Sequence, residues 1–195
     1  MPFTSLKYRF CHEKGLTGVT EPTNQSYALG VSKLIEVSKI FAKYNITTLA
    51  WTWRQFPTQY SQILANNKLG EIADVETYTI ENDVPWIKST WNIFKGKAEF
   101  YLCTKPTGWD GDQKWLEIVN YCTALCPMLY IGDYNKSISD LANFVKTWSP
   151  KLGGKLWAIL ETYNRDGDYT HKTSTALLNE INAVWNYVKG VAPIS

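Results

Sequence analysis

The chain has 195 residues, of which 45% are hydrophobic and 19% charged, with a net charge of +2. This is an ordinary globular composition, at a length that suits one domain over residues 1–195. Lys and Arg are scattered rather than gathered among aromatics, which excludes a nucleic-acid footprint, and no apolar run approaches the ~18 residues of a membrane span.

In chain order, Val31, Leu34, Ile35, Val37, Phe41 and Tyr44 fall at helical spacing and predict a helix over 28–44. The β-branched and aromatic run "ITTLAWTW" (46–53) predicts a strand. "FPTQYSQILANN" predicts a short helix with Pro57 at its start, and "EIADVETYTI" (71–80) predicts the next strand. Asp83 before Pro85 reads as an N-cap with proline at the first helical position, followed by the face Ile87, Trp91 and Phe94. "KAEFYLC" (97–103) is a strand, and Trp115, Ile118, Val119 and Cys122 mark a helix. "CPMLYIGDY" (126–134) is a strand, and Ser137 with Asp140 resembles a capping box ahead of the stripe Ile138, Leu141, Val145 and Trp148. "KLWAILETY" (155–163) is a strand, Leu177 to Val188 is a helix stopped by Gly190, and "VAPIS" starts a last strand. "LKYRFCHEKGLTGV" adds one or two strands at the N-terminal side.

Alternation of this kind requires parallel strands joined by crossover helices. The expected fold class is α/β, a compact and incomplete (β/α)8 TIM-type barrel. An open doubly wound sheet is the alternative, because a full barrel usually takes ~250 residues. In either architecture the working face lies at the carboxyl ends of the strands. No strand is followed by a dinucleotide or phosphate-loop motif, so no organic cofactor is implied. The stretch "NRDGDYTH" departs from a calcium loop at Tyr169 and Thr175, and no metal is assigned. Cys11, Cys103, Cys122 and Cys126 lack zinc spacing and are read as buried free thiols, with a disulfide left open. "MPFTSLKYRF" has neither the basic start nor the apolar core of a secretory signal. An extracellular or cell-surface setting is nonetheless the expectation, for a monomer with no membrane partner.

The residues that follow the predicted strands are carboxylates and aromatics: Trp51 and Trp53; Asp74, Glu76 and Tyr78; Tyr130 and Asp133; Glu161 and Tyr163. Positions i and i+2 of a strand share a face, so Asp74 and Glu76 point the same way with Cα atoms roughly 6.6 Å apart. Two such carboxylates push their pKa values apart, which suits one as a general acid and the other as its ionised helper. Glu161 ends a later strand and completes the pair of carboxyl groups that glycoside hydrolysis uses. Aromatic content of 14%, with nine Trp and twelve Tyr, exceeds the needs of a core and fits faces that stack on sugar rings. Trp51 and Trp53 also suit core packing, whereas Trp109 in "PTGWDGDQ" is the better candidate for stacking.

"ADVETY" resembles the strand-end D-x-E element of chitinase-like and muramidase-like glycosidase barrels. That resemblance implies Glu76 as proton donor and Asp74 as its assistant. The longer D-x-x-D-x-D-x-E chitinase signature is absent, with Leu69 and Ile72 at its earlier positions. Glu76 and Glu161 are also similar in placement to the acid and nucleophile of clan-A-like glycosidases, at the ends of the fourth and seventh strands. The expected activity is cleavage of a polysaccharide or oligosaccharide, of cell-wall type, with Tyr78, Trp53, Trp109, Tyr130, Asp133 and Tyr163 shaping the sugar subsites. A non-catalytic carbohydrate-binding barrel and a small-molecule α/β enzyme are the competing readings.

Overall fold

The computed structural model describes residues 5–9, 24–44, 47–75, 80–106, 113–165 and 167–194. These form two compact units, Met1–Asp74 with Pro85–Tyr101, and Val75–Val84 with Leu102–Ser195.

The first unit contains β1 (Ser5–Arg9), α1 (Asn24–Ala42), β2 (Thr47–Trp53), α2 (Thr58–Asn66), most of β3 (Gly70–Val75), most of α3 (Ile80–Phe94) and the start of β4 (Phe100–Thr104). β1 pairs in parallel with β2, and β2 with β3, in the register Leu49↔Gly70 to Trp53↔Asp74. The central residues of β2 are all buried, as are most of β3, which is the burial of a parallel strand covered on both faces. Helix α1 sets Tyr27 edge-on against Phe56 at 5.2 Å. Helix α3 anchors through Trp86, whose indole N–H donates to the Phe56 carbonyl at 3.1 Å, and through the stack of Phe94 on Phe100 at 5.5 Å.

The second unit contains the end of β4, then α4 (Trp115–Ile118), a 3-10 turn, β5 (Ala124–Pro127), α5 (Ile138–Lys151), β6 (Trp157–Glu161), the antiparallel hairpin β7 (Tyr163–Arg165) and β8 (Asp168–His171), α6 (Ser174–Val184), and β9 (Gly190–Ile194). β6 pairs in parallel with β9, and single parallel bridges, Leu125↔Leu156 and Met128↔Ile159, tie β5 to β6. Trp115 fills the space under α5, with its ring 5.2 Å from Trp148 and 6.0 Å from Phe144. The capping box is present: the Ser137 hydroxyl accepts from the Asp140 N–H, and Asp140 accepts from the Ser137 N–H.

Several expectations need correction. Of the strand expected over 71–80, β3 covers 71–75, residues 76–79 lie outside the described residues, and Ile80 already belongs to α3. Asp83 is therefore a buried residue of the helix rather than its cap, and Pro85 lies inside it as the sixth residue, where it supplies no N–H to the carbonyl four residues back. The strand expected over 126–134 stops at Pro127, because residues 131–135 turn back on themselves through Tyr134 N–H to Tyr130 O and Lys136 N–H to Ile131 O. Cys122 follows the 3-10 turn in extended conformation instead of riding a helix. The strand over 155–163 divides at Glu161 into β6 and a hairpin whose turn uses Gly167 at φ +83°. Gly190 begins β9, and α6 ends earlier, at Val184. Cys103, Cys122 and Cys126 are buried free thiols; Cys11 lies outside the described residues. No described helix is long and apolar enough to cross a membrane.

Candidate functional site

Strand β6 reads Trp157-Ala-Ile-Leu-Glu161, and its last side chain is the carboxylate at its carboxyl end. Glu161 is fully buried there. Its Oε1 accepts the backbone N–H of Gly132 from the 131–135 turn, and Lys172 Nζ at 3.1 Å. Lys172 also reaches Glu180 Oε1 at 2.8 Å, so one ammonium serves two carboxylates. All three side chains are shielded from water, with 0% exposure for Glu161, 7% for Lys172 and 2% for Glu180.

The local sequence explains this convergence. The Lys172 N–H donates to the Thr162 carbonyl at 2.8 Å, which fastens the end of the hairpin beside β6. Thr173 then caps α6, its hydroxyl accepting the Ala176 N–H at 3.2 Å. Glu180 follows on the inner stripe of that helix, three residues after Leu177 and four before Val184. Gly132 is required by close approach. A Cβ there would lie 2.8 Å from Glu161 Oε1 and collide with the Asn164 carbonyl.

Burial raises the pKa of Glu161, opposed by the Gly132 N–H and Lys172 and reinforced by the negative charge of Asp133. Burial likewise raises Glu180, opposed by Lys172. The Oε2 atoms of Glu161 and Glu180 accept no hydrogen bond among the described residues. Beside the turn is an open depression of about 290 Å³, lined by Gly132, Asp133, Asn135 and Arg165. Tyr130 stacks on Tyr134 at 6.4 Å, and Tyr163 meets Tyr169 on the hairpin at 5.7 Å. Among the described residues no group of three or more His, Cys, Asp or Glu is placed to hold a metal ion.

Of the residues singled out from the sequence, Glu161, Tyr130, Asp133 and Tyr163 belong to the second unit, and the charge of Asp133 acts on Glu161. In the first unit Asp74 and Trp53 are register partners at the carboxyl ends of β3 and β2. Asp74 is half-buried, Trp53 is 52% exposed, and Trp51 is packed in the core. Glu76, Tyr78 and Trp109 lie outside the described residues. Lys172, Glu180, Gly132 and Arg165 were not foreseen. The available signal was Glu180, a charge set within the apolar stripe of the last helix.

No known protein family matches the sequence, and no curated protein matches it. Among solved structures, a β-glucuronidase, beta-glucuronidase 2 of Bacteroides uniformis covalently bound to cyclophellitol-6-carboxylate aziridine, is similar over 88% of this chain at 8% identity and a TM-score of 0.56. The fold is shared with a glycosidase. The PgaB (BpsB) glycoside hydrolase domain from Bordetella bronchiseptica aligns over 72% of the chain at 11% identity and a TM-score of 0.46. The chain spans 28% of the length of the former and 41% of the latter. The likeness is one of architecture: alternating α/β with parallel strands, the class to which TIM-type barrels belong.

Proposed function

We propose that the chain is a glycoside hydrolase-type protein that cleaves a polysaccharide glycosidic bond by carboxylate acid/base catalysis, with cell-wall polysaccharides as the first substrates to test. In this reading residues 1–195 make one catalytic-type domain. The observation that carries it is Glu161: a carboxylate at the carboxyl end of a parallel strand, oriented by a backbone N–H and a lysine, with its pKa raised. A carboxylate of raised pKa is a better base near neutral pH than an ordinary one. Glu161 is thus the nucleophile or base, Glu76 the proton donor, and Asp74 the group that tunes it. Tyr130, Asp133 and Tyr163 contribute sugar contacts near the depression, and Tyr78, Trp53 and Trp109 contribute stacking faces or hydroxyl contacts.

A second reading has its own support. Glu161 has no exposed surface, and its Oε1 is already engaged, which favours a carbohydrate-binding protein whose strand-end acid is structural. Incubation with a panel of polysaccharides, with products followed by mass, separates the two. Glu161→Gln and Glu76→Gln should each abolish product release while glycan binding persists. Unchanged turnover in both variants refutes the catalytic assignment, and binding without any product from the wild type selects the second reading.

A further inference from the structure

We infer that Glu161, Lys172 and Glu180 form a single proton-holding unit, in which Lys172 fixes the orientation of Glu161 and Glu180 sets its charge. The functional weight of this rests on the reading of Glu161 as the working carboxylate. With all three groups ionised, the cluster carries two negative charges and one positive, almost out of contact with water. An uncompensated buried charge is expensive, so the favoured state near neutral pH holds one further proton between the two carboxyl groups. The geometry provides places for it. Each glutamate gives Oε1 to the ammonium, and each keeps an Oε2 that accepts no hydrogen bond among the described residues.

The charged groups facing Glu161 come from separate elements. Lys172 comes from the β8–α6 connection, Asp133 from the 131–135 turn, and Glu180 from α6 through the shared ammonium. Asp133 disfavours a negative charge at Glu161, and Lys172 and the Gly132 N–H favour it, while Glu180 acts on Glu161 through the ammonium they share. Stability alone gives little reason for such a cluster, since apolar side chains of similar volume pack a buried site at least as well. Coupling gives a reason: when Glu161 takes up a proton, Glu180 can release one, and the cluster keeps its total charge. Lys172 and Glu180 are positioning residues in this scheme, acting on substrate only through Glu161.

The test uses the full chain with 13C-labelled glutamate, following the carboxyl resonances of Glu161 and Glu180 across pH. In Glu180→Gln the midpoint of Glu161 should fall by about one pH unit or more, and in Glu161→Gln that of Glu180 should fall comparably. Lys172→Arg should preserve the wild-type titration, and Lys172→Met should raise both midpoints. Where Lys172→Met fails to fold, the two isosteric glutamine variants decide the matter alone. A Glu161 midpoint that is the same in Glu180→Gln as in the wild type overturns the inference. The polysaccharide assay is independent. Coupled titration without hydrolysis keeps the proton unit and rejects the catalytic reading, whereas hydrolysis without coupling rejects the unit alone.

Discussion

Glu71 gives the most quantitative prediction. It is the second residue of β3, fully buried, and its carboxyl oxygens accept from the Thr52 hydroxyl at 2.9 Å and the Ser61 hydroxyl at 2.8 Å. Burial pushes its pKa from 4.5 up to about 7, against the smaller lowering effect of the two hydroxyls. The folded protein therefore binds this proton more tightly than the unfolded chain does. Stability from this source is complete below pH 4.5, declines as pH rises, and is lost above about 7. At about 1.4 kcal/mol per pH unit, the loss over that window is about 3 kcal/mol. Glu71→Gln is neutral at every pH and is exempt. Urea unfolding of both proteins from about pH 4 to about pH 8.5 gives a difference curve in which all shared titrations cancel. The variant should gain on the wild type by about 3 kcal/mol between the two ends, with the rise centred between the two pKa values. A flat difference would show that Glu71 is ionised in the folded protein and that the burial reasoning is wrong.

Two glycines give sharper structural tests. Gly132→Ala places a methyl against the Asn164 carbonyl and 2.8 Å from Glu161 Oε1, so the turn must move and its N–H must leave the carboxylate. A loss of about 3 kcal/mol or more in urea unfolding is expected, and a loss below about 1 kcal/mol would mean the turn adapts freely. Gly190→Ala brings a Cβ to 2.8–2.9 Å from three ring atoms of Trp157, its register partner across β6 and β9. Overpacking of this kind costs about 1–3 kcal/mol, and Trp157→Phe in the same chain should recover part of it, which additive stabilities from the double-mutant cycle would contradict.

The parallel strands were legible because each is buried over most of its length and therefore reads as a continuous apolar or β-branched run; "ITTLAWTW" and "KLWAILE" are the clear cases. The capping box at Ser137 was legible because it is local chemistry between residues three apart. The β7–β8 hairpin was not, since its strands are short, polar and mostly exposed, and carry no apolar period to detect. Asp83 and Pro85 misled because the pair has the chemistry of a helix start, whereas the helix already begins at Ile80 and Pro85 falls in its second turn. The ammonium at Glu161 was invisible because Lys172 is separated from it by the hairpin, and nothing in the chain announces that a hairpin returns there.

Two buried glutamates on parallel strands show how position decides what a carboxyl group can do. Glu71 lies at the amino end of β3, and its side-chain hydrogen bonds come from two neutral hydroxyls. Burial is offset there by keeping the proton, so the group is settled in one charge state below neutral pH and works as packing. Glu161 lies at the carboxyl end of β6, where the connecting turn and hairpin can deliver an N–H, a cation and a second carboxylate. Burial raises its pKa, and the N–H and the ammonium oppose that rise. Position along the strand thus separates the two acids: Glu71 meets two hydroxyls, and Glu161 meets an N–H and an ammonium shared with a second carboxylate.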